Sequence, residues 1–395
     1  MTTTLFTPLT LPCGTTLKNR IAKAAMSDSL GDGTGHPTVA QTKLYGKWAK
    51  GGLALSIIGE VQPTPDFAEK PGNLVLDAQA DLTRFRPLAQ AGAANNSQLW
   101  LQLGHAGAMA YAPISQPQGP SALNIAGLTC TEMSLADIHA LPTTFAQTAQ
   151  RAQTIGFGGV ELHAAHGFLL SQFLSPLFNK RTDAYGGSIQ NRMRLLLECL
   201  EAIREAVGAG FPIGLKLNAT DQLDGGLTNE EALEVVRALD HTSLDLIDIS
   251  GGTYFPGARA ASDSAGSGPY FEGFAKRARE YTRKPLMLTG GIKTHAQAAA
   301  LIENGVVDVV GLARALVLAP DLPDQWARAQ PTDPDFPRFQ AAPEGGITAW
   351  YTMQMTALGN GRPTDTATDL TTALKAYNQR DAARTDIWRA HFGIV

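Results

Sequence analysis

The sequence predicts an α/β fold: a (β/α)8 TIM barrel with an N-terminal β-hairpin cap and a short helical C-terminal extension. Three observations carry this. Short apolar runs rich in Val, Ile and Leu recur along the chain, amphipathic stretches separate them, and the runs end in polar or glycine-rich residues. Buried strands alternating with helices build a parallel sheet. Eight such units close into a barrel whose active site lies at the C-terminal strand ends. An open doubly wound sheet is the rival, and it commonly has about six strands.

The elements follow in order. LTLPCGTTLKNR places two short extended runs around Cys13-Gly14, as a hairpin beneath the barrel would. The candidate strands are RIAKAAM (20–26), GLALSIIG (52–59), QLWLQLGH (98–105), GGVELHAA (158–165), PIGLKLNA (212–219), LDLIDISGG (244–252), PLMLTGG (285–291) and VVDVVGLA (306–313). Between them ADLTRFRPLAQAGAANN, SLADIHALPTTFAQTAQRAQTIG, NRMRLLLECLEAIREAVGAG, NEEALEVVRALDHTS and THAQAAALIENG have helical periodicity. Several stop at Gly, a favoured helix terminator. Past the eighth unit the composition changes. Residues 320–348 are Pro-rich and read as a surface run, then AWYTMQMTALGNG and ATDLTTALKAYNQRDAARTDIWRAHF read as helices. The chain thus divides into a barrel over 1–320 and an extension over 321–395.

Composition narrows the function classes. With 44% hydrophobic residues there is material for one large core, and the net charge of −4 gives no basic surface for nucleic acid or an anionic membrane. No apolar run is long enough to span a membrane. MTTTLFTPLTLPC lacks the basic and apolar regions of a secretion signal. Cys13, Cys130 and Cys199 are far apart and in no CxxC pattern, so they read as free thiols. A soluble, cytosolic α/β protein is the expectation.

The strand ends hold the chemistry. Thr289-Gly290-Gly291 and Gly311-Leu312-Ala313-Arg314 close strands seven and eight, where barrels build phosphate cradles. Glycine admits an anion close to the backbone and Arg314 adds a charge-assisted bond. Lys216 lies inside an apolar strand and needs a partner. It reads as a Schiff-base nucleophile, as a fixed charge beside an electron-rich ring, or as half of a salt bridge within the barrel. In ELHAAHGFLLSQ, His163 and His166 are three apart. They read as a metal pair, as an acid/base pair, or as two donors to one substrate oxygen. The metal reading is weakest, because such positions on a strand face opposite sides and no third ligand stands nearby.

HAAHGFLLSQFLSPLFNKRTDAYGGSIQNR (163–192) resembles the signature of the Old Yellow Enzyme family of FMN-dependent oxidoreductases. LFTPLTL, LKNRIAKAAMS, LQLGHAGA, DISGGTY, TGGI and GLAR resemble other family segments, in order, over about residues 5–320. The family fold is an eight-stranded barrel. The resemblance implies that Ala24, Ala25, Met26 and Ser27 line the flavin beside Gly59, and that Gln102 bonds its pyrimidine edge. Lys216 would stand by its N1–C2 side, and Gly290, Gly291, Ala313 and Arg314 would hold its phosphate. His163 and His166 would grip the substrate oxygen, with Phe168 and Ser29 as further substrate contacts. NADH or NADPH would reduce FMN, and an enone or nitro-activated alkene would then take a hydride at its β-carbon. Many members have Tyr where this chain has Phe168, which cannot donate a proton. Reaction on quinones or nitro compounds, oxidation, or isomerisation is therefore the alternative. Ala25 and Ala313 replace the common Pro and Gly. Relatives with an iron–sulfur cluster need a Cys cluster that this sequence lacks. A dimer or tetramer is expected.

Overall fold

The computed structural model describes residues 4–394 except 126, 256–257, 259–267 and 329. It opens with β1 (Leu9–Thr10) and β2 (Thr16–Leu17), paired antiparallel as the expected hairpin. Next come β3 (Ile21–Lys23), β4 (Leu55–Gln62), the two-residue β5 (Leu74–Val75) and β6 (Gln98–Leu103). A small sheet follows, of β7 (Gln118–Gly119), β8 (Leu123–Ile125) and β9 (Leu128–Glu132). Then come β10 (Gly159–Ala164), β11 (Ile213–Asn218), β12 (Leu246–Ser250), β13 (Leu286–Thr289) and β14 (Val309–Leu312). The order β3-β4-β6-β10-β11-β12-β13-β14 closes through a β14–β3 pairing, and its ladders are parallel. The eight expected strands are thus the eight staves of a closed barrel.

The helices that pack on it are α1 (Val39–Lys50), α2 (Arg86–Gly92), α3 (Leu135–Ile155), α4 (Leu169–Leu174), α5 (Ile189–Arg192), α6 (Arg194–Val207) and α7 (Asn229–Asp240). They continue as α8 (Glu272–Arg279), α9 (His295–Glu303), α10 (Arg314–Leu318), α11 (Leu322–Trp326), α12 (Gly346–Gly359) and α13 (Leu370–Phe392). Local chemistry sets the ends of α3. Ser134 and Asp137 form a capping box, and Gly156 terminates the helix at φ 106°. Thr228–Glu231 and Thr294–Gln297 make the same box for α7 and α9.

The barrel floor is apolar. Leu11, Leu17, Ala22, Leu55, Trp100, Leu246, Met287 and Val309 form one buried cluster. Trp100 fills it because Gly159 leaves room: a Cβ there would lie 2.7 Å from the indole. On the outer face of β3, buried Lys23 donates to the Ile57 carbonyl (3.0 Å) and lies over Tyr45 and Trp48 of α1.

Several boundaries differ from the sequence expectation. RIAKAAM pairs only over Ile21–Lys23, and Ala24–Met26 leave the ladder. GLALSIIG starts late and runs on to Gln62, bulging between Ile58 and Val61 with Glu60 at φ +62°. ADLTRFRPLAQAGAANN breaks into α2 between two 3-10 turns. The Pro-rich run contains α11, whose Trp326 is buried and bonds Asp333 (3.0 Å). The extension packs on this chain's own barrel: α12 lies against α1, and α13 buries Trp388. Among the described residues no helix is long and apolar enough to cross a membrane.

Candidate active site

Alternation on β10 points Val160, Leu162 and Ala164 into the outer core and leaves Glu161 and His163 for the lumen. Parallel register then assembles a polar layer. Glu161 pairs with Gln102, His163 with Lys216, and Lys216 with Asp248. Within this layer the Lys216 ammonium donates to Asp248, with Glu161 3.9 Å away. Gln102 Nε2 donates to Glu161 (2.7 Å) and Thr289 Oγ1 to Asp248 (2.7 Å). Burial alone would depress the Lys216 ammonium, but Asp248 and Glu161 outweigh it and hold it above the ordinary lysine value. A Schiff-base nucleophile needs the opposite shift, so that reading of Lys216 fails here. Glu161 is pushed up by burial, an effect that Lys216 only partly offsets.

The two histidines meet because the chain turns after β10. His166 adopts φ +62° and forms a parallel bridge with Thr253. Asn218 at the end of β11 holds the turn from both sides: its Oδ1 accepts from the His166 N–H (3.1 Å) and its Nδ2 donates to the Gly252 carbonyl (2.9 Å). The two imidazoles stand 5.1 Å apart, edge to face. His166 Nε2 shares a hydrogen bond with Ser250 Oγ (2.9 Å), and His163 Nδ1 is buried with no partner among the described residues. Burial drives the His163 ring far below its ordinary value, helped by His166 and Lys216; burial and Lys216 bring His166 to about 3. Both rings are therefore neutral and carry one N–H each; on His166 that N–H is free for an oxygen when Ser250 donates to Nε2. Phe168 lies 5.0 Å from His163 and packs among Phe67, Ala106, Met109 and Ala110.

The flavin-lining segment expected at Ala24–Ser27 leaves β3 over the lumen. Ala24 is buried and the next three residues are half-buried. A Cβ on Gly59 would collide with the Met26 carbonyl, so that glycine lets the segment lie flat on β4. Asp28 anchors it by accepting from Tyr45 (2.8 Å) and Gln41 (3.0 Å) of α1. Ser29 follows Asp28 at φ +48°. Its hydroxyl is buried against Gly72 without a partner, and its carbonyl accepts from Arg384 of α13.

At the far end Gly290 (φ 112°) and Gly291 (φ 79°) turn the chain after β13, with Ala313 and Arg314 half-buried after β14. A cavity of about 200 Å³ opens there between Lys293, Arg314, Tyr270, Phe336, Phe339 and Tyr351. Among the described residues neither cation enters an ion pair; they lie over the Phe336 and Tyr351 rings instead. Two unpaired cations beside glycine turns fit a phosphate dianion, and the polar layer below fits a heterocycle edge, so the residues present suit FMN.

Asn218 and Ser250 are polar strand ends legible in the sequence without a role, and Glu161, Asp248 and Tyr254 carry none there either. The signal for Glu161 and Asp248 is a charge at an inward position of an otherwise apolar strand. Much of the 163–192 block is a clamp rather than chemistry. Asn179 Nδ2 donates to the Phe173 and Tyr185 carbonyls, while Arg181 ties the β7–β9 sheet through Pro120, Glu132 and Met133.

The sequence model of the NADH:flavin oxidoreductase / NADH oxidase family matches residues 4–333. The NADH-dependent flavin oxidoreductase iliE of Neonectria sp. is 35% identical over 87% of this chain and 49% of its own length. An NADPH dehydrogenase of Bacillus licheniformis is 33% identical over 82% of this chain and 94% of its own. A solved complex of 2-naphthoyl-CoA reductase with 2-naphthoyl-CoA superposes with a TM-score of 0.78 at 26% identity, covering 83% of this chain and 52% of that one. The chain thus spans about half the length of the first and third of these.

Proposed function

The chain belongs to the NADH:flavin oxidoreductase / NADH oxidase family, and from that premise we propose that it reduces alkenes conjugated to a carbonyl or nitro group with NADH or NADPH. FMN, when bound, would supply the hydride-transfer chemistry between the nicotinamide and the β-carbon. Lys293 and Arg314 would hold its phosphate beside Gly290, Gly291 and Ala313. Gln102 and Lys216 would meet its pyrimidine edge, and Ala24–Ser27 with Gly59 would lie along the ring.

One observation carries the reading: two neutral imidazoles 5.1 Å apart at the end of β10. One N–H from each can converge on a single carbonyl oxygen and stabilise the enolate charge that develops there. A cationic pair would repel itself and would protonate the oxygen outright. Neutral rings stabilise charge on oxygen without taking it over. The nicotinamide and the alkene would use the same space in turn, which gives ping-pong kinetics.

The test is anaerobic. NADH or NADPH should bleach the flavin band, and 2-cyclohexenone should then restore it with saturated ketone as product. Bleaching without recovery would remove alkene reduction. Phe168, a ring with no proton to give, favours one second reading: hydride transfer to quinones or nitro compounds, or an oxidation or isomerisation. Recovery of the band with a quinone and not with the enone would select it.

A further inference from the structure

We infer that Tyr254, on the loop after β12, is the general acid that protonates the substrate carbon next to the bound carbonyl. The inference rests on the alkene-reductase reading and assigns the proton that Phe168 cannot supply.

The position of Tyr254 is built. Its backbone N–H donates to the His166 carbonyl (3.0 Å), and Thr253 Oγ1 donates to the same oxygen (3.3 Å). Asn218 pins both sides of this junction, as described above. The Tyr254 ring lies 5.5 Å from His166 and 6.1 Å from Phe168, which itself lies 5.0 Å from His163. Four rings therefore wall one nest. An oxygen held between the imidazoles puts the α-carbon two bonds away, towards the wall formed by Phe168 and Tyr254.

Two nearby hydroxyls are engaged: Ser250 Oγ is bonded to His166 Nε2, and Thr253 Oγ1 to the His166 carbonyl. In the oxygen-clamp reading the imidazole N–H groups serve the substrate oxygen. The Tyr254 hydroxyl makes no hydrogen bond to any described residue. The side chain stands at the open mouth, 61% exposed, where water can return a proton to it. As a phenol it carries its proton throughout the working range.

The step balances. The hydride forms the new C–H bond at the β-carbon, and the alkene pair becomes the enolate. The enolate pair then takes the Tyr254 proton: an α C–H bond forms, the Tyr254 O–H bond breaks, and the tyrosinate recovers a proton from water. Overall NAD(P)H and one proton are consumed for each alkene saturated.

The experiment uses the FMN-loaded full chain with Tyr254→Phe, fed 2-cyclohexenone and β-nitrostyrene. Flavin bleaching by NADPH should stay within a few-fold of the parent. Ketone formation should fall about a hundredfold or more, the usual size of a lost general acid. With the nitroalkene, hydride transfer should continue and release the unprotonated nitronate, seen by its ultraviolet absorbance, which a merely structural role would not produce. Tyr254→Phe combined with Phe168→Tyr should restore direct formation of saturated product. Parent-like ketone formation without nitronate in the single variant would overturn the role of Tyr254 alone. If the parent bleaches with NADPH yet reduces neither compound, the alkene-reductase reading falls and the donor role falls with it.

Discussion

The two ends of one barrel obey different rules. At the floor, Trp100 and its apolar neighbours form a buried cluster in the lumen. At the mouth the same strands carry Ser29, Glu60 and His166 at positive φ, values that side-chain-bearing residues rarely adopt. Buried polar atoms without partners among the described residues occur there on Ser29, Gln62, His105 and His163, while the floor has one on Trp100. Between the ends lies the Gln102–Glu161–Lys216–Asp248–Thr289 layer, polar but largely satisfied. The floor is arranged for stability, and the mouth tolerates strain because the floor and the layer above it hold the staves in place.

The largest effect should come from the layer. Lys216→Met strands two buried carboxyls, and removing one partner of such a group costs about 3–5 kcal/mol. A urea-denaturation midpoint reads this, and an unchanged midpoint would mean the layer is wetter than it looks. At the floor, Gly159→Ala forces a methyl to within 2.7 Å of Trp100. Overpacking of this kind costs about 1–3 kcal/mol. Flavin affinity, measured by fluorescence titration, should be unaffected; a weaker flavin would erase the distinction between the two ends. At the mouth, His163→Ala should weaken a phenolic ligand about tenfold, or ~1.4 kcal/mol. Tight phenol binding with the same charge-transfer band would remove the oxygen clamp.

The pH response should be gentle near neutrality and steep below it. His105 and His166 are held near 3, chiefly by burial, and His163 is also far below its ordinary value. Their unfolded-state counterparts titrate at about 6.5. Below that pH the unfolded chain binds more protons than the folded one, so stability falls as pH falls and continues to fall towards pH 3. At pH 6.5 the loss is only about 0.4 kcal/mol per histidine, and it steepens to ~1.4 kcal/mol per pH unit below. Denaturation midpoints flat from pH 7 to pH 5 would contradict the burial of these rings.

Strand content was legible because each stave is a run of branched apolar residues buried on both faces. The β7–β9 sheet was not, since QGPSALNIAGLTCTE lacks a continuous apolar run and one side of it faces solvent. His163, Lys216 and the paired glycines could be placed at strand ends by counting. Ser29 could not: a positive φ turns its hydroxyl towards Gly72, and a helix that begins at Leu370 grips its carbonyl.

The sequence by itself determined the barrel, its hairpin base, the glycine turn after β13, and the neutral-or-charged chemistry available at each strand end. These follow from periodicity and residue type, which are local. Tertiary structure alone decided that Lys216 is tied to Asp248 and Glu161, that a turn held by Asn218 brings His166 back beside His163, and that Tyr254 faces Phe168. Those contacts join residues dozens of positions apart. They depend on the parallel register between staves and on backbone turns at the mouth, and neither leaves a periodic trace in the chain.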